Sequence, residues 1–161
     1  MRIDRILILT LAATAADGLL AGASLDQSIK QLPARHRIGV KAYSAYSQAA
    51  DLEAGVAWYG VLGVNAPLLT IAAAVMGWRQ QISSRQAQLL SVAAGLAIAH
   101  SLVTTQAAPT NFSQRRVADN EEALTRVFNR FERWQALRAA LQVLNFGVML
   151  WALVASVQAA D

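Results

Sequence analysis

Hydrophobic residues in this chain fall into long segments that polar stretches separate. Three segments contain no Asp, Glu, Lys or Arg, and they cover residues 54–78, 86–114 and 139–160. A helix needs about 20 residues, at about 1.5 Å rise per residue, to cross a hydrocarbon layer roughly 30 Å thick. Each of the three charge-free segments is therefore long enough to span a membrane.

A fourth apolar segment, residues 6–25, is interrupted only by Asp17. One interpretation is a secretory signal peptide, because basic residues precede the apolar run and small residues offer a cleavage site. The other is a first span, in which Gly18 and Gly22 lie one turn apart and let a neighbouring helix approach closely. We favour the span and predict one domain, residues 1–161, an all-α integral membrane four-helix bundle with spans at about 5–25, 55–77, 87–107 and 137–158.

The long connection after the third span also carries a helical pattern. From Gln114 onward, apolar residues recur at steps of three and four, and Glu122 can pair with Arg126 one turn later. The members of this stripe are Val117, Leu124, Val127, Phe128, Phe131 and Trp134. No Gly or Pro interrupts the segment, so we predict a helix from Gln114 that continues into the fourth span.

A similar stripe precedes the second span. It is formed by Ile38, Ala42, Ala45, Tyr46 and Ala49. This spacing predicts a helix that begins after Pro33 and runs into the second span. We expect helices 2 and 4 of the bundle to extend beyond the bilayer and to cover each other's apolar stripes.

The basic residues bear on orientation. Nine Lys and Arg residues lie in the two long connections, whereas the opposite side has four, namely Arg2, Arg5, Arg79 and Arg85. Cytoplasmic loops carry the excess of Lys and Arg, so the count favours cytoplasmic long connections and external termini.

Composition excludes several classes of function. Hydrophobic residues make up 55% of the chain and charged residues 15%, and cysteine is absent. Disulfide scaffolds, thiolate nucleophiles and thiolate metal sites are therefore excluded. The net charge of +4 flanks apolar segments instead of forming one basic stripe, which indicates membrane topology and not nucleic-acid binding. No phosphate-binding loop or nucleophile motif occurs, so any activity must come from a cavity in the bundle.

Four polar residues are predicted at similar depth in the membrane. Asp17 and His100 lie roughly 10 Å below the surface on the side of the long connections, and Asn65 and Asn145 lie roughly 13 to 15 Å below it, at about 1.5 Å per residue. An Asp and a His that face each other can share a proton, and the two amides can stabilise an oxyanion. The four are the catalytic candidates, while a metal site is disfavoured because His36 is too far away to join them. The alternative is that they only hydrogen-bond the helices together.

Polar and aromatic residues cluster nearer the same surface. We expect Trp58, Tyr59, Asn111, Trp134 and Arg138 to form the mouth of the bundle and to bind substrate. Asp51, Glu53, Thr104 and Thr105 are expected to lie beside them. One interpretation is an entrance for an amphipathic aromatic molecule. The other is an interfacial belt, in which Trp and Tyr lie at the level of the lipid headgroups and Arg138 extends towards water.

The chain resembles a known family in some of these segments. The resemblance rests on Leu102-Val103-Thr104-Thr105 with Pro109 and Asn111, and on an amphipathic helix that ends in Phe131, Trp134, Leu137 and Arg138 before an apolar span. The stretches at residues 18–22 and 51–59 look similar too. Together they resemble the anthrone oxygenase-like family of small four-span membrane proteins, much of which has no assigned function. The resemblance implies a four-helix bundle and, for the few named members, oxygenation of anthrone-type polycyclic aromatics to quinones.

Two functions follow as hypotheses. In the first, His100 with Asp17 removes a proton from a lipophilic phenol or anthrone, the resulting anion reacts with oxygen, and Asn65 or Asn145 holds the oxyanion. This mechanism requires no cofactor, because the carbanion supplies the electrons. In the second, the protein is a non-catalytic subunit that docks on a larger membrane complex, or on copies of itself, through its small-residue faces. A pocket that reaches Asp17 and His100 would favour the enzyme.

Overall fold

The computed structural model describes residues 5–158, and all of its regular elements are helical. The α-helices are α1 (Arg5–Asp26), α2 (Leu32–Ile38), α3 (Val40–Ser47), α4 (Val56–Gln80), α5 (Ser84–Phe112) and α6 (Glu121–Gln158). Two π-helical segments, Gln27–Gln31 and Gln48–Ala54, join α1 to α2 and α3 to α4, and a 3-10 helix, Ser113–Val117, follows α5. Four helices are long and apolar enough to cross a membrane, which confirms the predicted all-α four-helix bundle. Arg2, one of the residues counted for orientation, lies outside the described residues.

The four spanning helices form a closed ring of neighbours. Helix α1 packs against α4 and α6, and α5 packs against the same two helices. Consecutive spans run in opposite directions, so one end of the bundle holds the short turn between α4 and α5. The other end holds all the long connections.

Exposed tryptophans mark the two membrane interfaces. Trp58 and Trp78 lie near the two ends of α4, about 30 Å apart at about 1.5 Å per residue, and both side chains are exposed. Near the level of Trp78, the Arg85 guanidinium lies 5.6 Å from the ring centroid of Trp151. Because indole rings concentrate at lipid headgroup level, we place the hydrocarbon layer between Trp58 and Trp78.

A second packed layer lies beyond Trp58, at the end with the long connections. Its core, which we call the extramembrane core, consists of Leu32, Tyr43, Ala107, Leu124, Phe128 and Phe131. The rings of Tyr43 and Phe128 meet edge to face with 4.9 Å between centroids. An ion pair between buried Arg35 and partly exposed Glu132, at 2.7 Å, connects α2 to α6 beside this core. The layer is therefore built by α2, which continues the first span, by α3, which precedes the second span, and by the ends of α5 and α6.

The helix before the second span differs from the prediction in its start and in its buried face. The helix is interrupted at Gly39, because its φ of +85° is a conformation that favours glycine. Helix α3 therefore begins at Val40 and not after Pro33. The predicted apolar stripe faces outward, with Tyr46 exposed, whereas Tyr43, Ser44 and Ser47 are buried. The serines of α3 are buried because Gln114 of the 3-10 helix accepts a hydrogen bond from the Ser44 hydroxyl and Asp51 accepts one from the Ser47 hydroxyl.

The last helix is confirmed as one continuous element into the fourth span, but it begins at Glu121 and not at Gln114. The Asn120 side chain caps it, because its Oδ1 accepts a hydrogen bond of 2.9 Å from the Ala123 amide. The predicted pair of Glu122 with Arg126 forms at 2.7 Å.

Candidate functional site

Polar side chains occupy much of the interior of the bundle. On α1, Thr10, Thr14, Asp17 and Ser24 are buried. On α6, Gln135, Gln142 and Asn145 are buried, and successive members lie one or two turns apart. Both sets point towards the bundle axis. The interior is therefore a polar column that runs from the end with the long connections to the middle of the membrane.

Asp17 lies at the deep part of this column, in a small cluster. Its side chain is 2% exposed, and its Oδ2 accepts a hydrogen bond of 2.7 Å from the Thr70 hydroxyl. The Asn145 amide faces the same carboxyl, although it makes no hydrogen bond of good geometry. Helices α1, α4 and α6 each contribute one polar group to this cluster.

The prediction that Asn65 faces this layer is wrong. Asn65 is exposed on the outer surface of α4, and its side-chain amide donates a hydrogen bond of 2.8 Å to the Val61 carbonyl. Thr70 takes the expected place, because the inward face of α4 is formed by Leu62, Ala66 and Thr70. Depth along a helix can be counted from the sequence, but the direction of a side chain around the axis depends on the neighbours.

His100 is inside the bundle, yet it does not pair with Asp17. Its side chain is 1% exposed, and neither ring nitrogen has a hydrogen-bond partner among residues 5–158. It lies one turn below Thr104 on α5, and the Arg138 charge is close enough to act on it. The predicted hydrogen-bonded pair of Asp17 and His100 is therefore not formed.

Other buried polar atoms in the column also lack partners in the described part of the chain. They include Oε1 of Gln142 and both amide atoms of Asn145. A buried polar atom without a hydrogen bond costs roughly 1–3 kcal/mol. Leucine or methionine at these positions would avoid that cost, so packing alone does not explain the polar column.

A cavity of about 200 Å³ lies where the column reaches the membrane interface near Trp58. Gln27, Asp51, Thr104, Asn111 and Arg138 form its polar wall. Leu52, Val56, Tyr59, Gly60, Ala108, Phe112 and Phe131 form the remaining wall, which is mostly apolar and aromatic. Val56 and Phe112 are exposed, so the cavity opens on the bundle surface between α4 and α5. We call this cavity the interfacial pocket.

Two residues of opposite charge, Asp51 and Arg138, line the interfacial pocket. The Arg138 guanidinium donates a hydrogen bond of 3.2 Å to Oε1 of Gln27, and its buried Nε has no partner among the described residues. Within this part of the chain no carboxylate lies close enough to Arg138 to form an ion pair, although the charge of Asp51 acts on it. The guanidinium therefore keeps donors for a ligand.

The Asp51 carboxyl is buried and held in place from one side. Its Oδ2 accepts a hydrogen bond of 2.8 Å from the Ser47 hydroxyl. Burial raises the pKa of the Asp51 carboxyl above its ordinary value, while Ser47, the Gln27 amide and the Arg138 charge oppose the shift. A carboxylate with a raised pKa is a stronger proton acceptor than an exposed one.

A hydrogen-bond network behind the pocket orients its polar wall. The Gln114 amide nitrogen donates to Asn111 at 2.8 Å and to the Ser47 hydroxyl at 3.3 Å. Its Oε1 accepts from the Ser44 hydroxyl at 3.0 Å. Because Ser47 in turn donates to Asp51, this network connects α3, α5 and the carboxyl.

The residues predicted for the mouth divide into two groups. Tyr59, Asn111 and Arg138 line the interfacial pocket. Trp58 is 53% exposed and lies outside it, while Trp134 packs against the extramembrane core. The belt interpretation therefore describes Trp58 better than substrate binding does.

The pocket also contains a residue that the sequence reasoning missed. Gln27 lies on the same inward face of the first helical segment as Asp17 and Ser24. Gln27 lies about three helical turns after Asp17, but the predicted first span ended at residue 25.

In residues 5–158 no three His, Cys, Asp or Glu side chains lie close enough together to hold a metal ion.

Comparison with known proteins adds no functional assignment. The resemblance to the anthrone oxygenase-like family stays a hypothesis. Comparisons with protein-family models, with curated proteins and with solved structures found no match.

Proposed function

We propose that the protein binds a lipophilic aromatic molecule with an ionisable hydroxyl group in the interfacial pocket and oxygenates it. The observation that carries this proposal is the Arg138 guanidinium, which lines a cavity with aromatic walls together with Asp51. A planar guanidinium binds a phenolate oxygen well, and a charge-assisted hydrogen bond contributes about 1.5–3 kcal/mol.

The position of the pocket suits a ligand that arrives through the lipid. Its opening between α4 and α5 lies at the membrane interface, next to exposed Val56 and Phe112. Tyr59, Phe112 and Phe131 provide surfaces on which an aromatic ring can pack. A molecule with an apolar ring system and a single acidic group can pack its rings against the apolar wall and bind the polar wall through its acidic group.

The reaction begins with proton transfer from the substrate to Asp51, while Arg138 holds the resulting anion. For an anthrone, the anion has its negative charge on the ring carbon as well as on the oxygen, and this carbon reacts with O₂. Addition of one O₂ and loss of one water yields the quinone, so both oxygen atoms are accounted for. This step rests on the family resemblance. The pocket reaches neither Asp17 nor His100, so it does not support the form of the enzyme hypothesis that placed the base there. In this proposal Asp51 takes the role first considered for His100, and Arg138 takes the role first considered for Asn145.

The test uses 1,8-dihydroxyanthrone with the purified protein in detergent. We expect the wild type to raise the ionised fraction of the probe and to increase O₂ consumption. Arg138→Gln should weaken binding of the ionised probe about tenfold to a hundredfold, since it removes one charge-assisted hydrogen bond. Asp51→Asn should abolish O₂ consumption but retain binding. Absorbance of the ionised probe and an oxygen electrode provide the two readouts.

Two further variants make the result decisive. Arg138→Lys keeps the positive charge and should retain part of the binding, whereas Arg133→Gln removes an exposed arginine outside the pocket and should change nothing. The proposal would be contradicted if Arg133→Gln lost as much probe binding as Arg138→Gln, or if Arg138→Gln bound the probe as well as the wild type does. If the wild type binds the probe without consuming O₂, the protein binds aromatic ligands and the proposed oxygenase activity is wrong.

The contacts of the small residues do not favour the alternative, a subunit that docks through its glycines. A Cβ atom on Gly18 would lie 2.8 Å from the Phe146 ring, so the same chain already covers this position. Around Gly22 there is open space within 4 Å. The glycine pair is therefore not one continuous face for a partner helix.

We propose that the long connections face the cytoplasm, on the basis of the larger number of Lys and Arg on that side. Because the chain has no cysteine, single cysteines introduced at exposed Lys41 and Ser84 can be labelled without background. On intact cells, a membrane-impermeant maleimide should label Ser84→Cys and not Lys41→Cys. Labelling of Lys41→Cys alone would show the opposite orientation and contradict the proposal.

A further inference from the structure

A second cleft lies outside the bundle, between the end of α5 and the first turns of α6. It has a volume of about 460 Å³ and shares no lining residue with the interfacial pocket. Thr105, Gln106, Pro109, Thr110 and Ser113 form one side, and Arg116, Arg126, Val127 and Arg130 form the other. We call it the basic cleft.

Three guanidinium groups meet in the basic cleft without enough negative charge to balance them. Arg126 pairs with Glu122 at 2.7 Å, and this carboxylate is not part of the lining. Arg116 and Arg130 make no ion pair or hydrogen bond within the described ranges of the chain. Like charges that line one cleft repel each other, so a bound anion would lower the electrostatic energy there.

The level of the cleft indicates where the anion comes from. Thr105 follows Thr104, which lines the interfacial pocket at the membrane interface, and Thr110 lies about 8 Å further out at about 1.5 Å per residue. The cleft therefore begins at the boundary of the hydrocarbon layer and extends through the headgroup layer. Phosphate groups of phospholipids occupy this depth.

The same face of α5 continues as an apolar surface into the hydrocarbon layer. Ile98 and Leu102 lie one turn apart, and Leu102 lies one turn below Gln106 in the cleft. Both apolar side chains are exposed, with Leu102 at 64%. Basic groups at headgroup level above an exposed apolar stripe match the two halves of an anionic phospholipid, whereas a soluble phosphate would use only the upper half.

We propose that the basic cleft binds the phosphate of an anionic phospholipid, with the acyl chains along Ile98 and Leu102. The guanidiniums of Arg116 and Arg130 bind the phosphate oxygens, and the hydroxyl-bearing wall of α5 closes the site. This site is independent of the interfacial pocket, so either proposal can fail without the other.

The experiment is native mass spectrometry of the protein released from nanodiscs that contain equal amounts of phosphatidylglycerol and phosphatidylcholine. We expect the wild type to retain phosphatidylglycerol at least tenfold over phosphatidylcholine. The double variant Arg116→Gln/Arg130→Gln should lower the retained phosphatidylglycerol about tenfold or more, because each Lys or Arg near the membrane surface contributes to anionic lipid binding. The matched control, Arg37→Gln/Arg133→Gln, removes two exposed arginines outside the cleft and should retain the lipid.

Three results would overturn the proposal. They are equal retention of both lipids, unchanged retention in the cleft double variant, and equal loss in the control. An added arm with inorganic phosphate separates the two sources of the anion. If millimolar phosphate displaces the lipid completely, the cleft is a free-anion site and the lipid assignment is wrong. An Arg116→Lys/Arg130→Lys variant that restores retention would confirm that the charges, and not an altered fold, carry the effect.

Discussion

Replacing Phe128 with alanine should lower the free energy of unfolding by about 3–5 kcal/mol. The Phe128 side chain is fully buried in the extramembrane core, and its ring meets Tyr43 edge to face at 4.9 Å between centroids. The loss combines the transfer of the ring from water, the cavity left behind and the lost aromatic contact. Reversible unfolding in mixed detergent, followed by circular dichroism, measures the change.

A matched control removes an apolar side chain that the bundle does not bury. Ile29 is 73% exposed in the π-helical segment between α1 and α2. Ile29→Ala should change the free energy of unfolding by less than about 0.5 kcal/mol. If Phe128→Ala and Ile29→Ala had equal effects, the layer beyond Trp58 would not be a packed core.

Replacing Glu132 with alanine should destabilise the protein by about 2 kcal/mol, because it leaves the Arg35 guanidinium buried without a counter-charge. Arg35 has 5% of its side chain exposed and donates to Glu132 at 2.7 Å, to Asn129 at 3.2 Å and to the Leu32 carbonyl at 2.9 Å. Breaking a fully buried pair costs about 3–5 kcal/mol, and we reduce this value because 43% of the Glu132 side chain is exposed to solvent.

The exposed pair of Glu122 and Arg126 provides the comparison, because it has the same 2.7 Å contact without the burial. Glu122→Ala should cost less than about 0.5 kcal/mol. Glu132→Gln should fall between the two, since the amide oxygen can still accept a hydrogen bond from Arg35. The same unfolding assay applies to all three variants. Similar small losses for Glu132→Ala and Glu122→Ala would show that Arg35 finds water as an adequate partner.

The two oppositely charged residues of the interfacial pocket show the limit of reading depth from a sequence. Asp51 and Arg138 were both expected at the mouth, but the sequence did not indicate that they line one cavity. They belong to segments far apart in the chain, and only the ring order of α1, α4, α5 and α6 brings them together. His100 and Asp17 illustrate the opposite case, since similar depth did not make them partners.

Features that depend on neighbouring residues of one helix could be predicted from the amino-acid pattern. The lengths of the apolar segments predicted four spans, and the i,i+4 spacing of Glu122 and Arg126 predicted their contact, because both depend only on helix rise and pitch. The buried side of each helix, in contrast, depends on packing between helices and could not be predicted. Asn65 faces outward and Thr70 inward, and the polar face of α3 is buried instead of its apolar one. The physical reason is that a lipid surface and a polar-lined bundle interior remove the usual rule that apolar residues point inward, so packing against specific neighbours sets the rotation of each helix.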